Sequence, residues 1–526
     1  DILRGKRTSL EQGLRIPLII ASPNGARGTV RDELVSTIDL APTLLAAAGI
    51  EAEVSLPGLS LDPLLQDETM PEWREYLFTE FVTHSAHNYF PQRTVRDSRF
   101  KLIETLMPGE INPGYDFTLN KFYDPESVEA AISNSPPVIR NAYERMQRPL
   151  RWQLFDLEND PHEWIDLSED PAHAETLARL QVELLRWRQE TEDPFLDPGF
   201  VLQVRDEIES HRRGEEGYAK PDRWEFYDAL PTRVRGVSNR RIETDSSPSS
   251  DRLNIFNADA TVNGHADWKD RTNIYGRVGI NILFIAADDL RCNIGCMDDP
   301  IARTPNIDRL ASQGTLFERA YIQVSICNAS RASMLTGLRS DTIGVWDLNT
   351  HFRDYRSDVV TIPQLFRENG YRSVNLGKIH HGTGRCAVDP PSWSDPQEMH
   401  LSNRSLRYAL PKNDLDDKKA DAAECADVND DAYFEGILAN RAVERLEEFA
   451  ESGEPFFLGL GFKCPHLPFS APKRYWDLYE RDQFEDDVWE EFFGPNALPS
   501  DAPSIAGHAW PELRGYRDIP DEGDLS

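Results

Sequence analysis

The chain has 526 residues, 39% of them hydrophobic, and a formal net charge of −33 at pH 7. This length is enough for more than one hydrophobic core. The acidic balance argues against a general nucleic-acid or membrane-surface binder, because phosphate backbones and anionic lipids attract basic patches. No long apolar run and no signal peptide are visible, although the chain starts with Asp1 rather than Met, so the compartment stays open.

The first part of the chain, residues 1 to about 60, has an α/β pattern. Ile16 to Ala21 are predicted to form an apolar strand, and Val35 to Ala48 a helix that ends at Gly49.

Residues 73 to 195 have the alternation of antiparallel strands, followed by a helix. The strand pattern runs through FPQRTVRDSRFKLI and WQLFDLENDPHE, and Leu177, Leu180, Leu184 and Trp187 then recur at helical spacing. We expect a small α+β subdomain with an antiparallel sheet. Residues 226–278 lose this periodicity and are predicted to be a linker.

A strongly apolar strand, NILFIAADDL, follows and ends in Asp288 and Asp289. Such a strand is typical of a buried parallel sheet, and ligands gather at the carboxyl ends of parallel strands. Two adjacent carboxylates there suit a hard cation such as calcium or magnesium. The alternative is a solvated Asp-Asp turn without a metal.

The stretch from Ala320 to Gly337 is predicted to be a strand that stops at Cys327 and turns into a helix. Asn328 and Ser330 are interpreted as capping residues. Unpaired N–H groups at a helix start bind oxyanions, and Arg331 would lie on the same helix face. The alternative is that Cys327 is a small buried hydrophobic residue.

The six cysteines all lie in the second half, without the paired spacing of a zinc site. Cys292 and Cys296 are close enough in sequence to bridge, but nothing in the spacing requires it.

The run CNASRASMLTG resembles the signature of formylglycine-dependent sulfatases, a family of the alkaline-phosphatase superfamily: C-x-P-S-R followed by a small-residue helix and L-T-G. Ala329 stands where most members have proline. The resemblance implies that a maturation enzyme oxidises Cys327 to Cα-formylglycine. It also implies that Asp288 and Asp289, with Cys327 as a further ligand, hold Ca²⁺, with Mg²⁺ as the alternative.

Three further runs resemble the same family. In LGKIHH, Lys378 and His381 correspond to the family's sulfate-binding lysine and histidine. In FFLGLGFKCPHLPF, His466 corresponds to the family's histidine that follows a buried strand. GKRTSLEQGLRIPLII matches a late segment of the catalytic domain, in which the lysine at Lys6 holds the sulfate.

The resemblance differs between the two halves. Residues 1–225 resemble the C-terminal part of heparan N-sulfatases, and residues 279–526 resemble the N-terminal part of iduronate-2-sulfatases. The family's late segments therefore come first. Two explanations stay open: a fusion of the tail of one sulfatase with the head of another, and a circular permutation.

The corresponding domain prediction has four parts. Residues 1–72 are the late part of the catalytic domain, 73–225 the C-terminal subdomain, 226–278 the linker, and 279–526 the early part with the nucleophile. The family's D-[NH]-G turn, which supplies two more metal ligands, is expected just before the segment that begins at Asp1 and is not found.

The implied fold is α/β: a sulfatase sandwich with a central, mostly parallel sheet flanked by helices, plus the smaller antiparallel subdomain. Because apolar parallel strands need neighbours on both sides, residues 281–462 and 1–60 are predicted to share one parallel-rich sheet.

The implied activity is hydrolysis of sulfated carbohydrates, including glycosaminoglycans, or of aryl sulfates. Hydrated formylglycine has two hydroxyls: one attacks sulfur, and the second then expels sulfate as the aldehyde re-forms. The cations that would neutralise the sulfate are Arg331, Lys378 and Lys6, and the groups that would move protons are His381 and His466.

Two other function classes stay open. A phosphatase or phosphodiesterase of the same superfamily would need Thr or Ser as nucleophile, which Cys327 argues against. A catalytically impaired fusion would at most bind sulfated glycan. By resemblance the protein is periplasmic or secreted, with neither nucleic acid nor membrane as partner.

Overall fold

The computed structural model describes residues 7–52, 54–66, 73–84, 88–115, 129–130, 132–213, 217–218, 224–226, 280–382, 384–399, 404–413, 420–480 and 517. The predicted sulfate-binding Lys6 and most of the predicted linker lie outside these residues.

The strands of these residues form five sheets. They are β1 Arg15–Ile20, β2 Thr29–Arg31, β3 Val35–Ser36, β4 Leu77–Phe81, β5 Gln92–Arg96, β6 Phe100–Thr105, β7 Trp152–Asp156, β8 Arg212–Arg213, β9 Gly217–Tyr218, β10 Ile282–Asp288, β11 Thr315–Tyr321, β12 Arg372–Gly377, β13 Ala423–Ala426, β14 Phe456–Pro465 and β15 Phe469–Pro472.

The α-helices surround these sheets. They are α1 Glu11–Leu14, α2 Leu40–Ala48, α3 Asp62–Leu65, α4 Pro137–Gln147, α5 Ala174–Glu190, α6 Pro198–Ser210, α7 Pro305–Gln313, α8 Cys327–Thr336, α9 Ser340–Ile343, α10 Ile362–Glu368, α11 Phe434–Ser452 and α12 Lys473–Trp476. No helix of the described residues is both long and apolar enough to cross a membrane.

The central strands are divided between two sheets. Strand β14 pairs in parallel with β10 on one side and β12 on the other. Strand β11 pairs in antiparallel fashion with β1 and in parallel with β2 and β3. The prediction that residues 281–462 and 1–60 share one sheet is therefore wrong for β10, β12 and β14. Among the described strands, these three pair only with one another, so β10 has no further strand on its other edge.

The two sequence segments nevertheless share a hydrophobic core. Leu45 of α2 packs in one buried cluster with Leu335 of α8, Phe366 of α10 and Phe457 of β14. Their common burial explains why both segments are strongly apolar: side chains removed from water, rather than backbone pairing, join the two sheets.

Two element boundaries differ from the sequence prediction. The helix predicted from Val35 begins only at Leu40, because Val35 and Ser36 pair with β11, while its end at Gly49 is confirmed by a left-handed φ of 67°. The strand before Cys327 ends at Tyr321, so residues 322–326 form an irregular connection.

The antiparallel strands predicted between residues 73 and 195 are present and form one sheet in the order β4-β5-β6-β7. Helix α5 packs on it through the predicted apolar face: Leu180 and Leu184 are fully buried, and Trp187 stacks on Phe78 with ring centroids 4.8 Å apart. Phe226, predicted to be the first linker residue, is instead buried in a core cluster beside Trp346, because its ring completes an aromatic stack.

The turn DPHE, residues 160–163, ties the two halves together. Glu163 of this turn accepts a hydrogen bond from the backbone N–H of Glu11 and an ion pair from Lys101 of β6. Glu11 in turn accepts from the hydroxyl of Tyr321 in β11 at 2.8 Å. This buried network places the subdomain against the end of the strand that leads to Cys327.

Candidate active site

Cys327 is the first residue of α8, as predicted, and is half-buried. The residue before it, Ile326, is extended and makes no side-chain cap. Asn328 is not a cap: its Nδ2 donates to the backbone oxygens of Asp347 and Thr350 at 2.9 and 2.8 Å. The side chain of Asn328 therefore ties the first turn of α8 to the loop that contains Asp347 and Thr350.

Arg331, one turn along α8, is buried and points at the ends of two parallel strands. Its Nη1 donates to the backbone oxygens of Lys378 and Ile379 at 2.5 and 3.0 Å, and its Nη2 to Oδ1 of Asp288 at 3.0 Å. Lys378 Nζ contacts the other carboxylate oxygen of Asp288. Two predicted site cations, Arg331 and Lys378, thus meet at the carboxylate of Asp288, a third predicted site residue.

Two glycines allow this convergence. The amide N–H of Lys378 donates to the oxygen of Gly461 at 2.7 Å, and a Cβ on Gly461 would overlap the backbone carbonyl of Lys378. Gly377 has a left-handed φ of 71°, and a Cβ there would overlap the oxygen of Gly461. Only glycine permits this close approach of β12 and β14.

The predicted carboxylate pair has a third potential ligand. One ligand atom each from Asp288, Asp289 and His466 lies within 4.8 Å of the others, and His466 Nε2 is 3.9 Å from Asp289 Oδ2. Asp289 has φ 60°, a left-handed conformation that Asp tolerates. Two carboxylates and one imidazole fit a divalent cation. Cys327 is not part of this group of three.

The two adjacent histidines of LGKIHH have different environments. His380 is buried, its Nε2 accepts from Trp393 Nε1 at 3.1 Å, and burial lowers the pKa of its imidazole to about 4. It is therefore a neutral core residue. His381, the predicted proton donor, is half-buried and the more exposed of the two.

The chain next to Lys6 lies beside the loop that leads to Cys327. The amide N–H of Arg7 donates to the oxygen of Ser325 at 3.1 Å, and Ser325 Oγ donates to the oxygen of Thr8 at 2.7 Å. This segment from the N-terminal half therefore borders the nucleophile turn, as its predicted role requires.

Lys463 lies close to the candidate site and was not singled out from the sequence. It lies at the carboxyl end of β14 and is 7% exposed. The signal available in the sequence was a lysine between a buried apolar strand and His466, which by itself is also typical of a solvated strand end.

Cys292 and Cys296 do not form a disulfide bond with each other. A cavity of about 100 Å³ lies between the Arg7–Leu10 segment and the antiparallel sheet, bordered by Phe81, Gln92 and Trp164 among others. Neither Cys327 nor the carboxylate pair lines it.

Comparison with known proteins finds a family model that matches a segment in each half of the chain. Residues 280–506 match the family model described as "Sulfatase", and residues 3–137 match the one described as "N-sulphoglucosamine sulphohydrolase, C-terminal". The C-terminal type of segment therefore precedes the catalytic one, as predicted.

The curated relatives include iduronate 2-sulfatases and an N-sulphoglucosamine sulphohydrolase. Human iduronate 2-sulfatase is 33% identical over 249 residues, which is 46% of this chain and 44% of the relative. Human N-sulphoglucosamine sulphohydrolase is 31% identical over 215 residues, 37% of this chain and 40% of the relative. The chain spans less than half the length of either.

Solved structures overlap only in part. The phosphonate monoester hydrolase of Agrobacterium radiobacter is 22% identical, with 38% of this chain and 44% of that chain covered and a TM-score of 0.32.

Proposed function

We propose that this chain, whose two halves match sulfatase families, is a sulfuric ester hydrolase that acts on sulfated sugars or aryl sulfates through a formylglycine at Cys327. The observation that carries the proposal is the meeting of Arg331, Lys378 and Asp288 beside the helix that begins at Cys327. Cations and a carboxylate at the ends of parallel strands are the groups that a sulfate ester and a divalent cation require.

The nucleophile is a hydrate of the aldehyde made from Cys327. One hydroxyl attacks sulfur, the alcohol leaves with a proton, and the sulfate becomes bound to the side chain. The second hydroxyl then loses its proton, the carbon–oxygen bond to sulfate breaks, and the aldehyde returns to be hydrated by water. Covalent catalysis of this kind replaces one difficult displacement with two easier steps.

The basic residues stabilise the sulfate oxygens. Arg331 is held by two backbone oxygens, so its guanidinium is oriented before substrate arrives. Lys378 adds a second positive charge from the neighbouring strand end, and we include Lys6 because the adjoining Arg7 lies against the nucleophile loop.

The histidines have separate positions. His466 lies beside Asp289, where its ring orientation is supported by the 3.0 Å contact between Nδ1 and the oxygen of Leu467. His381 lies next to Lys378. We assign them to proton transfer, one of them toward the leaving oxygen or nitrogen.

The residues that would hold a divalent cation are Asp288 and Asp289, with His466 adjacent. When bound, such a cation supplies Lewis-acid stabilisation of negative charge on the sulfate. Calcium is our choice because carboxylate oxygens dominate the group, and magnesium is the alternative.

The matched relatives support a sugar sulfate as substrate, since one is named for iduronate and another for N-sulphoglucosamine. A catalytically impaired glycan binder is less favoured, because the matched relatives are named as enzymes.

The decisive experiment is co-expression with a formylglycine-generating enzyme, peptide mass spectrometry of the Cys327 peptide, and turnover of a chromogenic aryl sulfate with and without calcium. We expect the aldehyde at Cys327 and calcium-dependent sulfate release. Cys327→Ala is the matched control without a nucleophile. An aldehyde-bearing protein with turnover no higher than that of Cys327→Ala would contradict the proposal and favour the glycan-binding alternative.

A further inference from the structure

Lys463 is a buried cation in a strongly acidic chain. Its side chain is 7% exposed, yet no carboxylate of the described residues lies within ion-pair distance of its Nζ, which contacts the backbone oxygen of Leu467. Burying a charge without a counter-ion is costly. Among the described residues, the partner of this buried ammonium is therefore a backbone oxygen and not a carboxylate.

The backbone explains how Lys463 reaches this position. Strand β14 pairs regularly with β10 up to Phe462 opposite Ala287, but the next pair is Pro465 opposite Asp288. Lys463 and Cys464 therefore form a bulge beside the predicted cation ligand. Bulges next to active sites redirect a side chain, and the Nζ of Lys463 here contacts the backbone oxygen of Leu467, near enough to Lys378 for the two charges to interact.

The charges around Lys463 are mainly positive. Burial, and next the repulsion from Arg407 and Lys378, lower the pKa of the Lys463 ammonium to about 8. The acidic group that faces it, Glu435, uses Oε1 to accept the backbone N–H of Cys464 at 3.1 Å. The carboxylate of Asp288 is already shared by Arg331 and Lys378.

We propose that Lys463, with Arg407 beside it, binds a second anionic group of the substrate, so that the enzyme selects sugars carrying a carboxylate or another sulfate next to the sulfate it removes. This inference rests on the proposed function. The ligand would supply the counter-charge that no carboxylate of the described residues provides to Lys463, while Arg331 and Lys378 hold the sulfate that reacts.

The test uses binding, so that it does not depend on turnover. The full chain with the unmodified Cys327 thiol is titrated by calorimetry with three probes: 4-methylumbelliferyl sulfate, a 2-O-sulfated uronic acid and a disulfated glucosamine. We compare Lys463→Met with Lys473→Met, a control that removes the same charge from a side chain that is 50% exposed. Arg407→Gln provides a second variant of the same cationic group.

We expect Lys463→Met to lose about tenfold to a hundredfold affinity for a probe with two anionic groups, with little change for the aryl sulfate. Loss confined to the uronic acid identifies a carboxylate as the second group, and loss confined to the disulfated sugar identifies a sulfate. We also expect an unchanged or higher Tm, because the variant removes an uncompensated buried charge.

Two results would overturn the inference. An equal loss of affinity for all three probes would mean that Lys463 contacts the reacting sulfate itself. An unchanged affinity for every probe, together with a lowered Tm, would mean that Lys463 has a purely structural role. If Lys463→Met does not fold, the same comparison is made with Arg407→Gln. Failure of the proposed function would give a different result. The wild type that carries formylglycine would then release no sulfate, and this outcome does not depend on the affinities measured for the three probes.

Discussion

At the scale of single residues, the carboxylate of Asp288 explains most of the site's arrangement. Its side chain is 4% exposed, and its two oxygens accept from the buried Arg331 and Lys378. Asp289, the next residue, is exposed and has a left-handed backbone conformation. Adjacent aspartates that look equivalent in sequence therefore have different tasks: one balances buried cations, and the other is accessible to a ligand.

This difference predicts opposite stability effects for two matched variants. Asp288→Asn leaves two buried cations without a counter-charge, and we expect it to lower the free energy of unfolding by about 3 to 5 kcal/mol. Asp289→Asn should change that free energy by no more than about 0.5 kcal/mol, as is usual at exposed positions.

Both variants should weaken calcium binding, since each removes a carboxylate from the proposed cation site. Urea unfolding and calorimetric calcium titration measure the two effects separately. An Asp288→Asn protein as stable as the Asp289→Asn protein would show that Asp288 does not balance Arg331 and Lys378.

At the scale of elements, the site depends on the close approach of β12 and β14 at their carboxyl ends. Gly461 of β14 lies against the backbone of Lys378, which follows β12. The bulge in β14 begins directly afterwards and carries Lys463 and the segment to His466. Two strand ends thus position cations and a histidine without any long connecting loop.

We predict that Gly461→Ala separates these strand ends. The new methyl group would overlap backbone atoms that cannot move independently, so unfolding free energy should fall by about 1 to 3 kcal/mol or more, and aryl sulfate turnover should fall with it.

Gly459→Ala is the control in the same strand, because its Cβ would meet only the side chains of Ile379 at 3.1 Å and Trp393 at 3.2 Å, which can adjust. Thermal unfolding and turnover of both variants decide the matter. Equal effects in the two variants would show that backbone approach at Gly461 is not limiting.

At the scale of the whole molecule, a buried polar network joins the antiparallel subdomain to the catalytic segment. Arg93 of β5 is fully buried and pairs with Asp341 of α9 and with Asp193. Glu80 of β4 accepts the backbone N–H of Asp341 at 3.0 Å and donates its own N–H to Gln323 at 3.1 Å. Burial, and next the charge of Asp341, raise the pKa of the Glu80 carboxyl to about 8.

This raised pKa gives a pH dependence of known sign. Between the unfolded value of 4.5 and about 8, folded Glu80 keeps a proton that the unfolded chain releases, so its contribution to stability falls as pH rises through this window. Glu80→Gln keeps the shape and does not titrate. From pH 5 to pH 8 the wild type should therefore lose more unfolding free energy than Glu80→Gln, by about 1 kcal/mol or more.

Urea unfolding at the two pH values measures this difference, with Glu158→Gln, whose side chain is 70% exposed, as control. Glu158→Gln should follow the wild type, because substitutions at exposed surface positions change the free energy of unfolding little. Parallel pH profiles for the wild type and Glu80→Gln would contradict protonation of Glu80 in the folded state.

Several features of this protein follow from its sequence alone. The helix that begins at Cys327, the antiparallel subdomain with α5 on its face, and the strand that ends in Asp288 and Asp289 are local patterns, set by apolar periodicity and by turn residues a few positions apart. The two sulfatase-type segments and their order were also predicted from short motifs, and the family comparisons confirm them.

Tertiary structure decided what periodicity does not encode. A strand's pattern says which face is buried, but not which edge is paired, so the separation of β10, β12 and β14 from β11 was not predictable. The ion pairs of Asp288 with Arg331 and Lys378, the proximity of His466 to Asp289, and the burial of Lys463 depend on a bulge and on two facing glycines. These contacts join residues far apart in the chain, and only packing of the complete strands brings them together.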